Sequence, residues 1–279
     1  MLEDPREHDS YRLSNLGLAL ERTTVQLDEK NAANFAYRGA NVLASAIENP
    51  RVTMDGGTFA ELVSALGKLG RLLNPMDAAR LADRLSTAIN RPEKPQTAHF
   101  MAIIGALPPL ANRLSPTDAS RVAKLLATAM ENPTETNYAV SKLGEVLVNF
   151  VSRMAPKEAT GMASRCTAAV LSRMESLQGA DLVSLGVPLE KLSTKMDQAE
   201  LSNVAYRLVQ AMEKYQEAGN GPLPEFGITL EKLLDRLEPQ AAASLSSRCV
   251  LVLAESLENP RYFYRSEQLA VPLGKLVAR

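Results

Sequence analysis

The side chains with reactive chemistry are few, and they are scattered. His8 and His99 are the only histidines in 279 residues, and they stand far apart in the chain, so neither a general acid–base pair nor a shared metal site is expected of them. Cys166 and Cys249 are the only cysteines. They are too few for a secreted disulfide framework, and each falls where leucine stands in equivalent segments, which reads as a small buried hydrophobe rather than a nucleophile. Carboxylates are plentiful, but Asp77, Asp118, Glu158 and Glu200 all sit three residues into a helix start, where they serve the backbone. Phosphate-cradling patterns of the GxGxxG and GxxxxGK[ST] kinds are absent. No catalytic residue, metal site or cofactor is expected, and the chain reads as a non-enzyme.

Arginine is the exception, because it recurs in register. The elements that would position it come from an internal repeat. A start signal of apolar residue, cap, proline, any residue and acid appears clearly in LNPMDAARLADRLSTAI from Leu73 and LSPTDASRVAKLLATAM from Leu114. Weaker copies begin at Leu27, Met154, Met196 and Leu237. Asn74 or Ser115 caps free backbone N–H groups, Pro75 or Pro116 takes the first helical position, and the acid completes a capping-box spacing. Gln198 and Glu29 replace the proline and Ala241 replaces the acid, so these three starts are expected to be weaker.

Counting from each anchor, small or apolar residues return at +5, +8, +9, +12 and +16, the stripe of an amphipathic helix. Alanine holds +9 as Ala36, Ala82, Ala123, Ala163 and Ala205, which implies a close packing seam. A leading amphipathic helix precedes each anchor, with leucine seven residues before it at Leu20, Leu66, Leu107, Leu147, Leu189 and Leu230. Glycine stands ten residues before four anchors, at Gly17, Gly144, Gly186 and Gly227, and is read as close helix packing. Two helices cannot enclose a core, so the hairpins must stack. Their anchors lie about 41 residues apart, and the expected architecture is an all-α solenoid of stacked antiparallel helix hairpins forming one repeat domain over residues 1–279. LEDPR at Leu2 matches LENPR at Leu257, and AVPLGKLVAR from Ala270 matches a leading helix. A piece of a longer array or multidomain protein is therefore expected, with terminal units prone to weak end-to-end self-association.

The array of L-x-P-x-[DE]-A starts, the alanine seam and the spacing resemble the HEAT and armadillo class of right-handed α-solenoids. More narrowly, they resemble leucine- and alanine-rich HEAT-like arrays of large multidomain bacterial proteins. The resemblance implies a scaffold or docking surface and carries no catalytic motif.

Position +11 is Arg38, Arg84, Arg165, Arg207 and Arg248, with Leu125 interrupting the column. These five are the candidate partner-binding residues, a ladder whose forked donors could take an acidic or extended peptide segment beside polar neighbours such as Asn203 and Gln210. The alternative is that each arginine pairs with a carboxylate of an adjacent helix and secures the stack. A non-catalytic protein-interaction scaffold is the leading function, a structural spacer between domains the alternative, and a nucleic-acid-binding solenoid a distant third. Lys+Arg of 31 against Asp+Glu of 32 gives a net charge of -1, which offers no global attraction for a phosphate backbone. No apolar run is long enough to span a membrane, and the cysteine usage fits a reducing cytoplasm. Tyr262, Phe263, Tyr264 and Arg265 form the densest aromatic patch, expected either to pack beneath the final joint or to anchor a partner.

Overall fold

The computed structural model describes residues 15, 19–20, 22–23, 27–49, 56–91, 95, 97–132, 134–176, 183–218 and 223–277. Among them there are twelve α-helices and no strand. The helices are α1 (Glu29–Glu48), α2 (Gly56–Leu72), α3 (Pro75–Ile89), α4 (Thr97–Ala111), α5 (Pro116–Glu131), α6 (Asn137–Val151), α7 (Pro156–Ser176), α8 (Val183–Ser193), α9 (Gln198–Ala218), α10 (Leu223–Leu234), α11 (Pro239–Glu258) and α12 (Ser266–Val277). A 3-10 turn covers Pro260–Arg265.

Each of the six anchored helices begins one residue after its cap. Asn74 accepts from the Asp77 amide at 2.8 Å, Asp28 from Asn31 at 3.0 Å, Ser115 from Asp118 at 3.2 Å and Asp197 from Glu200 at 2.9 Å. The acid does not reach back to the cap's backbone as in the usual reciprocal box. It accepts from the cap's side chain instead, Asp77 from Asn74 at 2.8 Å and Asp118 from Ser115 at 2.6 Å. Losing proline at Glu29 and Gln198 leaves the cap bond intact, because the cap side chain makes it. Glu238 makes no cap bond, in the repeat where Ala241 replaces the acid.

The expected stripes are buried, except at Phe35 and Ala242, which are half-buried. Ala78, Leu81, Ala82, Leu85 and Ile89 all face inward on α3. All five +9 alanines have no solvent exposure, and all six leucines seven residues before an anchor are buried. A methyl at +9 is what lets neighbouring helices approach, so the column sets helix spacing by steric size.

The chain divides into two compact units, Met1–Ala129 with Asn149–Ala159, and Met130–Val148 with Thr160–Arg279. Within the first, α2 packs on α4, α1 on α3, and the second helices α1 and α3 on the leading helices that follow them, α2 and α4. Within the second, leading helices α8, α10 and α12 pack in succession, α9 packs on α11, and α9 and α11 pack on the following α10 and α12. The same contacts recur inside each unit, a helical-repeat arrangement. Tyr262 is buried, its hydroxyl donating to the Tyr215 carbonyl at 2.8 Å while the Tyr215 hydroxyl donates to Met174 at 2.8 Å. The side chains of Phe263, Tyr264 and Arg265, the LEDPR segment, Gly17 and His8 lie outside the described residues.

Candidate functional site

In each unit the second helices present an outward face that is regular in chemistry. At +7 Asn34, Arg80, Arg121, Gly161, Asn203 and Ser244 are all exposed. At +14 Thr87, Thr128, Ala168, Gln210 and Leu251 are exposed and Asn41 is half-buried. A helix that buries +5, +8, +9, +12 and +16 must present +7 and +14 to solvent, so the row follows from the stripe.

The arginine column borders this row, and three of its members are held by carboxylates one repeat earlier. Arg84 places Nε 2.8 Å from Glu48 Oε1 as an ion pair, with Nη2 donating to Ser45 at 2.9 Å and Nη1 to Asn41 at 3.2 Å. Arg91 joins Glu48 at 2.9 Å, so one carboxylate on the last turn of α1 carries two guanidinium groups. Arg165 is bidentate on Glu131, with both bonds at 2.6 Å. Arg248 is held by Glu213 at 2.7 and 2.9 Å and lies 5.0 Å above the Tyr206 ring. The Arg165 fork holds the Glu131 carboxyl below its ordinary range despite an opposing cost of burial, and Glu131 raises Arg165 in return. Where Leu125 interrupts the column, the crossing moves one turn earlier, and Arg121 reaches Asp83 at 3.2 Å. Arg38 and Arg207 also make contacts within the chain. Carboxylate pairing, the alternative, is thus what holds Arg84 in the first unit and Arg165 and Arg248 in the second. The partners Glu131 and Glu213 share position +17, a regularity the sequence held but that has meaning only once the next helix is known to lie alongside.

Cys166 and Cys249 are buried and free, and burial pushes both thiols up to about 12. A neutral, enclosed thiol is a poor nucleophile. His99 is buried and its Nε2 donates to the Asn49 carbonyl at 3.0 Å, which ties the start of α4 to the end of α1. Among the described residues no group of three or more His, Cys, Asp or Glu is placed to hold a metal ion. No described helix is long and apolar enough to cross a membrane.

A second surface row escaped the sequence reading. Val187, Ile228 and Val271 are 40%, 40% and 53% exposed on the successive leading helices α8, α10 and α12. Beside them Lys232 pairs with Glu190 at 2.5 Å and Lys275 with Glu231 at 3.0 Å, one repeat-to-repeat ion pair in the same register. The signal was available as an apolar residue directly after the glycines Gly186 and Gly227 and after Ala270.

No protein-family model matches the chain, and no curated protein matches it. Among solved structures the chain is similar, at 13% identity and a TM-score of 0.25, to one described as "Computational Design of Self-Assembling Cyclic Protein Homooligomers". The match covers 96% of this chain and 91% of that one.

Proposed function

We propose that the chain is a non-catalytic protein-interaction scaffold, a right-handed HEAT-like solenoid with a repeat near 41 residues, working by binding alone. The outward row of the second helices carries this reading. It repeats neutral hydrogen-bonding groups at equivalent sites, Asn34, Thr87, Thr128, Asn203 and Gln210 among them, beside guanidinium groups already fixed in place. Fixed donors lose little side-chain entropy when a partner arrives. Because Glu48, Glu131 and Glu213 balance the charge of the arginines, the occupant that fits best is an extended protein or peptide segment recognised through its backbone amides, with acidic character a secondary preference. The even charge balance disfavours nucleic acid, and two free buried thiols suit a reducing cytoplasm.

A structural spacer between domains is the second reading, favoured by the internal pairing of Arg84, Arg165 and Arg248. Panning the folded chain against a displayed random-peptide library separates the two. A scaffold enriches extended peptides, and their affinity falls at least about tenfold, or 1.4 kcal/mol, in the Asn203→Ala, Gln210→Ala and Arg165→Ala, Arg207→Ala double variants at unchanged circular dichroism. No enriched peptide, or binding indifferent to both variants, leaves the spacer.

A further inference from the structure

Single exposed apolar side chains are ordinary on a protein surface, but a row of them in register is not. Nine residues before the anchor, the leading helices α2, α4 and α6 carry Ser64, Gly105 and Glu145. On α8 and α10 the same position is Val187 and Ile228, both exposed, and Val271 continues the row on α12. Valine and isoleucine are stiff at the first side-chain torsion, so at a solvent-facing site they lower helix propensity and also leave apolar surface wet. Neither Val187 nor Ile228 is exposed for want of a neighbouring helix. Gly144 of α6 seats Pro188 of α8, Gly186 of α8 seats Thr229 of α10, and Gly227 of α10 seats Pro272 of α12. Helices α8 and α10 are thus packed on both sides and still present these two residues to solvent.

Positive charge borders the row on one flank. One turn beyond Val187, Ile228 and Val271 stand Lys191, Lys232 and Lys275, all exposed. Lys232 is held by Glu190 of α8 and Lys275 by Glu231 of α10. In that register the residue of α6 opposite Lys191 is Val148, so Lys191 meets no carboxylate there and the flank keeps an excess of positive charge. The other flank holds Glu225, already engaged within the chain, and the neutral Gln268.

We infer that α8, α10 and α12 dock an acidic amphipathic helix of a partner protein, laid across them with its apolar stripe on Val187, Ile228 and Val271 and its carboxylates toward the lysines. The spacing suits a helix. Packed helices lie about 8–10 Å apart, and residues seven apart along a helix are separated by about 10.5 Å, so apolar side chains at i, i+7 and i+14 meet the row one per leading helix. An extended segment would need about three residues from one row position to the next, and its alternation would turn successive side chains to opposite sides. Burial of the row supplies affinity, and a carboxylate against Lys191 fixes the orientation. The surface is separate from the proposed peptide row, which lies on the second helices.

The test is to pan the intact chain against displayed helices of about 18 residues, with leucine fixed at i, i+7 and i+14 and the flanking positions randomised. Binders are expected to be enriched in Asp and Glu beside the leucines. By fluorescence anisotropy their affinity is expected to fall at least about tenfold in the Val187→Ser, Ile228→Ser double variant at unchanged circular dichroism. Lys191→Glu is expected to weaken the acidic binders by about threefold or more. No enriched helix, enrichment without acidic bias, or binding indifferent to the double variant overturns the proposal. So does a different occupant. A sedimentation mass that doubles in wild type and returns to one chain in Ile228→Ser assigns the row to a second copy, and binding to vesicles of anionic lipid that the same change abolishes assigns it to a membrane surface.

Discussion

Leading helices meet differently in the two units, although their second helices are built alike. In the C-terminal unit one register is used three times. A Cβ built on Gly144 would lie 2.5 Å from Pro188, on Gly186 2.5 Å from Thr229, and on Gly227 2.8 Å from Pro272. The proline or threonine stands two positions further along its own helix than the glycine does. Pro188 and Pro272 lie inside helices, where proline sacrifices a backbone bond, and here the rigid ring is housed against the missing side chain. In the N-terminal unit Gly67 and Gly70 of α2 receive Pro109 and Leu110 of α4, while Gly105 of α4 receives Val63 of α2. The seating is reciprocal and follows no repeated offset. The comparison teaches that the alanine column is the part of the packing common to all repeats, whereas leading-helix contact is solved locally.

The largest expected effect sharpens what the units share. Ala123→Asp puts an unpaired carboxylate at a fully buried seam position and is predicted to cost at least about 3 kcal/mol, and Ala82→Leu roughly 1–3 kcal/mol by overpacking. Urea denaturation reads both, and an unchanged midpoint in either variant would remove the seam from the account.

Next come the glycines, where the units should part. Gly144→Ala is predicted to destabilise by roughly 1–3 kcal/mol, because the new methyl meets a proline Cβ that cannot swing aside. Gly67→Ala faces the ring tip of Pro109 at 3.2 Å and should change stability by less than about 1 kcal/mol, its small clash offset by better helix propensity. Gly274→Ala, in open space, should gain about 0.5–1 kcal/mol. Thermal melts that rank these three in any other order would break the comparison.

The ion pairs and thiols carry smaller effects. Arg165 and Glu131 are each 40% exposed, so Arg165→Ala should cost under about 1 kcal/mol, despite the bidentate geometry. Since the folded value of Glu131 is depressed, that contribution is present above the ordinary carboxylate range and is lost as pH falls through the lowered value. Acid titration of wild type and variant should therefore converge at low pH. The thiols act with the opposite sign. Their folded values lie above the ordinary 9.0, so their contribution is complete below pH 9.0 and is lost as pH rises toward about 12, because unfolded cysteines ionise first. Ellman's reagent at pH 8 should find no reactive thiol in the native chain and two in denaturant.

The helix starts, the alanine column and the −7 leucines were legible because local chemistry fixes each of them: a cap bonds within three residues, and a stripe is a property of one helix. The packing role of Gly144, Gly186 and Gly227 was legible too, from their common offset. The roles of Gly67, Gly70 and Gly105 were not, since they follow no offset and depend on where the neighbouring helix lies. The same reason governs the candidate site. The arginine column stood out by its spacing, but whether a guanidinium faces a partner or a carboxylate is decided by a residue about 35 positions away, as Glu131 is from Arg165 and Glu213 from Arg248.

The repeated glycine seat is most directly tested by a double-mutant cycle at its tightest member. Gly144→Ala and Pro188→Gly exchange which helix carries the side chain, so chemical denaturation of both single variants and the double is predicted to show the double more stable than the sum of the singles by about 1 kcal/mol or more. Strict additivity within about 0.3 kcal/mol would contradict the seat and, with it, the shared register of the C-terminal leading helices.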